Sequence, residues 1–186
     1  MLAFFVCNGH HVNMTKTKFI IRPARHEDAA AIADVNMNPR RRCYAAFMPP
    51  EFIAANIVTP QRIANWQQRI AQKDFLYLGE TENGKIVALA WGSPSHNPEI
   101  PIPFELHALY VLPDCQGCGL GRRLIEKFAE YAGYRPFYLY MLKNNPVAGF
   151  YRHMGGIRHP EYDIQKTWQS FILEEEAFFF HPQKKI

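Results

Sequence analysis

Residues 112–124 read LPDCQGCGLGRRL, a stretch holding Gly117, Gly119 and Gly121, the cysteines Cys115 and Cys118, and the pair Arg122-Arg123. Apolar residues precede it and an amphipathic pattern follows, so it turns a strand into a helix. The first N–H groups of a helix have no internal partner, and the helix dipole adds partial positive charge at that end. Three alternating glycines keep side chains away from that point, and two arginines can add charge-assisted contacts. The chemistry this suits is holding phosphate. The spacing is not a Walker loop, because no Lys-Ser/Thr pair follows, and G-x-G-x-G is not the dinucleotide G-x-G-x-x-G.

The same stretch raises a metal or redox reading through Cys115-x-x-Cys118. A structural zinc site needs four ligands, and neither a second C-x-x-C nor an H-x-x-x-H completes a set. No metal is therefore expected. A thiol at a helix N-terminus is reactive in principle, which makes Cys118 a candidate for oxidation. Both cysteines otherwise read as incidental.

The elements around this turn must position it. The run 104–112, FELHALYVL, is long and apolar enough to be a buried central strand, and Pro113 stops it. From Gly119 onward, Leu120, Leu124, Ile125, Phe128 and Ala129 form one helical stripe that ends at Gly133. A strand at 137–142, a short helix at 145–154 and a final strand region around 167–180 follow. Upstream, 18–23 reads as a strand and 26–37 as a helix. Pro39, Pro49-Pro50 and Pro60 then punctuate short helices, the last with Ile63, Trp66 and Ile70 on one face. Two strands, 75–81 and 85–94, flank Glu82-Asn83-Gly84, a strong hairpin signal, and a Pro-rich loop covers 94–103. The order is α/β with a mixed sheet.

With 186 residues, 48% hydrophobic and 20% charged, the composition fits one globular domain. The net charge of +4 is scattered except at Arg40-Arg41-Arg42, so a nucleic-acid partner is not expected; an anionic small ligand suits it equally. Four cysteines are too few for a disulfide scaffold, which points to a reducing cytoplasm. The apolar patch at 2–7 lacks a basic flank and is too short to span a membrane. Residues 1–13 read as an extension, disordered or upstream of a start at Met14, and 14–186 as a single domain.

Gln116-Gly117-Cys118-Gly119-Leu120-Gly121 matches Q/R-x-x-G-x-G/A. Preceded by ELHALYVLP, it resembles motif A of the GNAT acetyltransferase superfamily. NNPVAGFYRHMGG (144–156) is similar to its second acyl-CoA motif: Asn144, Phe150, Tyr151 and Gly155 match, and Val147 replaces the usual Ala. RPARHEDAAAI (22–32) resembles the opening strand and first helix, and 44–66 the variable acceptor-side helices. The resemblance runs from Phe19 to about residue 173; the tail EEEAFFFHPQKKI lies outside it, and AFFF suits a terminal strand or an interface.

The resemblance implies the GNAT fold, a mixed sheet of about six to seven strands flanked by helices. It implies acetyl-CoA as cosubstrate and a small amine as acceptor, with no membrane partner; homodimers are common in the family. The end of the central strand, Leu109, Tyr110 and Val111, would pair with the pantetheine arm. Gln116, Gly117, Cys118, Gly119, Leu120, Gly121 and Arg122 would hold the pyrophosphate, with Asn144 and Phe150 beside them. Family members splay the central strand from the next, and the thioester enters the gap, where a backbone N–H near Val111 would polarise its carbonyl. Tyr151 would protonate the departing thiolate. Glu105 is the candidate base, directly or through water, and His107 the alternative.

Trp66, Tyr44, Phe47 and Trp91 either line the acceptor side or belong to the core. Arg40-Arg41-Arg42 is a solvated helix end, or approaches an acidic acceptor or the CoA 3′-phosphate. Two other functions compete: acetylation of a protein N-terminus or lysine, and a CoA-binding sensor without turnover.

Overall fold

A computed structural model describes residues 18–45, 48–55, 57–168 and 171–184. The expectations for residues 1–13 and for Phe47 fall outside these residues. Strand β1 (Phe19–Pro23) is followed by helices α1 (Ala29–Tyr44), α2 (Pro50–Ala54) and α3 (Pro60–Ala71). Then come β2 (Phe75–Thr81), β3 (Ile86–Pro94), β4 (Phe104–Val111), α4 (Leu120–Tyr131), β5 (Phe137–Leu142) and α5 (Ala148–His153). The described chain ends with β6 (Ile157–Arg158), β7 (Ile164–Trp168) and β8 (Phe171–Phe180). No described helix is long and apolar enough to cross a membrane.

The eight strands form one mixed sheet in the order β1-β2-β3-β4-β5-β8-β6, with β7 also paired to β8. Every described strand pair is antiparallel except β4–β5. One face packs against α4 and α5, burying Leu106, Leu109, Leu124, Phe128 and Phe178. The other lies under α1 and α3, where Ile32, Trp66, Leu78, Trp91 and Tyr110 meet. Further along that second face, Ile100 and Ile102 of the 95–103 loop cover Tyr138 and Tyr140 of β5.

Two elements differ from the sequence reading. Helix α1 does not stop at Pro39 but continues to Tyr44. An interior proline forfeits one backbone hydrogen bond and costs about 3 kcal/mol. Burial of the last turn offsets that cost: Tyr44 is fully buried against Phe52, and Arg40 Nε donates to Tyr110 Oη at 3.0 Å. The final region around 167–180 holds two strands, β7 and β8, and the short β6 ahead of them brings the total to eight. In β8, Phe178 and Phe180 enter the core with α4 and α5 while Phe179 turns to the opposite face. The AFFF segment is thus an internal strand of the sheet.

Candidate active site

Strands β4 and β5 pair at only two positions, Phe104↔Phe137 and Glu105↔Tyr138. Beyond Glu105 no ladder joins them among the described residues, so a wedge opens between 106–111 and 139–142. Each strand keeps its other neighbour: β4 stays on β3 as far as Val111, and β5 on β8 as far as Leu142. The wedge is therefore held open by two intact half-sheets.

A bulge in β4 arranges the side chains above this junction. Trp91 pairs with Ala108 and Gly92 with Leu106, so His107 is the extra residue. Bulges re-aim side chains and bend the strand. Here the bulge places Glu105, His107, Ala108 and Tyr110 toward α1 and α3, while Leu106, Leu109 and Val111 face α4.

Glu105 and His107 touch. His107 Nδ1 lies 2.9 Å from Glu105 Oε1, and Tyr138 Oη donates to Glu105 Oε2 at 2.8 Å. Ser95 Oγ sits 3.0 Å from Tyr138 Oη, and Ser93 Oγ 2.8 Å from His107 Nε2. Ser93 Oγ also donates to the Pro94 carbonyl at 2.9 Å. Burial pushes the Glu105 carboxyl up, but hydrogen bonds from His107 and Tyr138 outweigh it and hold the group below the ordinary glutamate range. Burial drives the Tyr138 phenol far above its usual value.

The glycine turn lies at the mouth of the wedge. Gln116 Nε2 donates to the Val111 carbonyl at 3.0 Å, tying the turn to the end of β4. Gly117 and Gly119 have φ of 77° and 84°, the left-handed region that glycine enters at little cost, and Gly119 caps α4. A Cβ on either would meet nothing within 4 Å: the space before α4 is open. It forms a cleft of about 430 Å³ whose walls include Val111, Gln116, Gly117, Gly119, Leu120, Gly121 and Arg122. Phe150 of α5 closes the far side. That collects eight of the fourteen residues singled out from sequence.

The other six lie elsewhere. Glu105 sits at the apex of the wedge, and Leu109 and Tyr110 are buried on opposite faces of β4. Tyr151 is fully buried beside Phe178 and Phe180. Burial, with Tyr110 nearby, raises its phenol well above the usual value. Cys118 turns its Sγ back onto the Cys115 carbonyl at 2.6 Å, and burial raises the Cys115 thiol. No group of three metal-ligating side chains occurs among the described residues. Asn144 is exposed, with φ of 66°, off the cleft wall. Its neighbour Asn145 is the buried one, and its Oδ1 accepts from the Val147 N–H at 3.1 Å to start α5.

Sequence reasoning missed Asn145, and also His153 and Met154, which line the cleft from the end of α5. A helical period of three to four from Phe150 would have pointed to both.

A strand that parts from its parallel neighbour above a glycine turn and a helix N-terminus can admit an extended ligand. The free strand edge offers backbone hydrogen bonds, and the turn offers amides for a phosphate. The model of the acetyltransferase (GNAT) domain matches residues 72–155, a span from the start of β2 to the end of α5 that includes both features. By this match, and by the relatives that follow, the chain is similar to the GNAT N-acetyltransferases.

Among its relatives, the N-acetyltransferase YuaI of Bacillus subtilis is 26% identical over 136 residues, covering 71% of this chain and 76% of that protein. A GCN5-related N-acetyltransferase from Rhodopseudomonas palustris shares the fold with a TM-score of 0.68 at 21% identity, over 87% of this chain and 94% of that one. The PaiA N-acetyltransferase of Thermoplasma acidophilum, solved in complex with coenzyme A, has a TM-score of 0.63 at 17% identity, over 86% and 98%.

Proposed function

We propose that this protein transfers the acetyl group of acetyl-CoA to the primary amine of a small molecule, by direct attack in a ternary complex. The observation that carries the reading is the wedge, open from Leu106 onward, with the glycine turn at its mouth and Glu105 at its apex. The pantetheine arm would lie along β4, with its pyrophosphate on the amides of 116–122. A fold neighbour holding coenzyme A supports the choice of cosubstrate. Residues 14–186 would form the one catalytic domain, working in a reducing cytoplasm in keeping with the free thiols of Cys115 and Cys118.

The chemistry follows from the residues. An alkylamine with pKa about 10.4 is unprotonated in roughly one molecule in 10³ at pH 7, so a proton must leave before attack. Glu105 takes it, with His107 and Tyr138 steadying the carboxylate. The amine nitrogen bonds to the thioester carbon while the carbonyl oxygen gains charge beside the Val111 backbone. The C–S bond then breaks, the thiolate takes a proton from Tyr151, whose phenol is held protonated by burial, and the second proton shed by the nitrogen returns to that phenol through solvent. The products are an amide and CoA with a free thiol.

The test is calorimetric titration with acetyl-CoA, CoA and ATP. Micromolar binding of the first two, absent with ATP and lost in Gly119→Glu, supports the reading. No heat with acetyl-CoA overturns it.

A further inference from the structure

Helices α1 and α3 enclose a second pocket, of about 130 Å³, on the Glu105 face of the sheet. Arg40 of α1 and Arg62 and Arg69 of α3 all line it. Among the described residues, no carboxylate forms an ion pair with any of the three. Glu175 and Asp74 attract Arg40 and Arg69 only from a distance. Three cations in one small pocket repel one another unless something neutralises them. Arg62 shows the strain: burial, then Arg40, lowers its pKa.

The remaining polar groups are also donors. Asn36 is 4% exposed, and its Nδ2 is buried with no hydrogen-bond partner. Asn65 Oδ1 is taken by Gln61 Nε2 at 2.9 Å, which leaves its own amide hydrogens to give. A buried donor without a partner is costly, typically about 1–3 kcal/mol. Donors and positive charge together fit a ligand that only accepts, namely an oxyanion.

The pocket is tied to the reaction site at two points. Arg40 Nε donates to Tyr110 Oη at 3.0 Å, on the stretch of β4 that borders the wedge. The Arg69 guanidinium lies 3.9 Å over the Trp91 ring, and that ring is 4.2 Å from the His107 imidazole. A molecule anchored here by one end is on the face where Glu105 waits for its amine.

We infer that the α1–α3 pocket is an acceptor subsite for an oxyanion, so that the amine this protein acetylates carries a carboxylate or phosphate group. The inference rests on the acetyl-transfer reading above and narrows its acceptor. Arg40, Arg62 and Asn36 bind the anionic group, and Arg69, stacked on Trp91, completes the charge.

The experiment has two readouts. The first is kcat/KM with acetyl-CoA for glycine, β-alanine, 4-aminobutyrate and 6-aminohexanoate against their carboxamides, and for O-phosphoethanolamine against ethanolamine. The acids should exceed their neutral analogues at least tenfold at the best chain length. The phosphate pair separates a phosphate preference from a carboxylate one. In Arg62→Gln the preference should fall about 10–100-fold, as expected for one lost charge-assisted hydrogen bond, and Arg62→Lys should restore part of it.

The second readout needs no turnover: tryptophan fluorescence during titration with the same acids at fixed ionic strength, since Trp66 lines the pocket. A saturable change that weakens at least tenfold in Arg62→Gln supports the subsite. Equal use of acids and amides, or an acid preference that Arg62→Gln leaves intact, overturns it. If no amine is acetylated, the absence of a saturable fluorescence change overturns it. A protein that binds these acids but not acetyl-CoA would instead defeat the acetyl-transfer reading.

Discussion

Glu105 and Tyr138 are register partners at the last rung between β4 and β5, and their side chains meet there as well, with Tyr138 Oη donating to the carboxylate at 2.8 Å. The proposed base is thus fastened to both half-sheets where they part. Replacing it by glutamine should lower kcat/KM about 10²–10⁴-fold, the usual contribution of a positioned acid or base. Acetyl-CoA affinity, read by calorimetry, should stay near that of the parent. A loss under about threefold would transfer the role to His107 or to water.

The pH dependence follows from the same bond. Glu105 is held below the ordinary glutamate value, so it stays ionised as pH falls through that range, and kcat/KM should keep its acid side there. Tyr138→Phe removes a donor to the charged form, raises the carboxyl and moves the acid limb to higher pH. Stability follows the same sign. The contribution of a depressed carboxyl is present above its unfolded pKa and lost as pH falls through the folded value. Calorimetric melts below pH 5 should therefore penalise the parent more than Glu105→Gln.

Tyr151→Phe tests the other end of the reaction. Burial keeps the phenol protonated beyond its usual range, so kcat should show no basic limb from this group below about pH 10. Loss of the hydroxyl should lower kcat about 10²-fold in a thiol-release assay. An unchanged kcat would leave Tyr151 a packing role only.

Gly117→Ala separates ligand contact from folding. The new methyl meets nothing within 4 Å, so its cost to folding is the left-handed φ of 77°, about 1–2 kcal/mol. Because Gly117 lines the cleft, acetyl-CoA affinity should fall by an order of magnitude or more in calorimetry.

Gly92 lies opposite the β4 bulge with no room for a side chain. A Cβ there would be 2.4 Å from Phe128 Cε2 and 2.7 Å from the Glu105 carbonyl oxygen. Gly92→Ala should cost about 1–3 kcal/mol, or roughly 2–4 °C of Tm for each kcal/mol. Because one of the two contacts is the Glu105 backbone, a thermal melt and an activity assay should register the change together.

The glycine turn was legible because its function depends on backbone conformation, which glycine spacing reports directly. The strand before it and the stripe after it were legible through periodicity. The bulge at His107 was not: it reassigns which residues share a face, yet FELHALYV alternates no differently from a regular strand. The continuation of α1 past Pro39 was hidden because part of its support comes from Tyr110, remote in sequence. The arginine pocket joins positions 40, 62 and 69 across two helices. The run Arg40-Arg41-Arg42 hinted at an acidic partner, but nothing in it singles out Arg40 or links it to α3. Asn144 matched a motif pattern by count, whereas the chain takes a φ of 66° there and buries its neighbour Asn145.

The wedge has a bearing on solubility. Residues 106–111 and 139–142 present strand edges to each other with no ladder between them, and such edges readily recruit foreign strands. Natural proteins normally charge or cover an edge of this kind, but this one must stay free if it is to receive a ligand. Cosubstrate would then act as a removable edge guard. Protein purified without it should self-associate more readily on warming, and an excess of CoA should delay that association even where no acceptor is present to be modified.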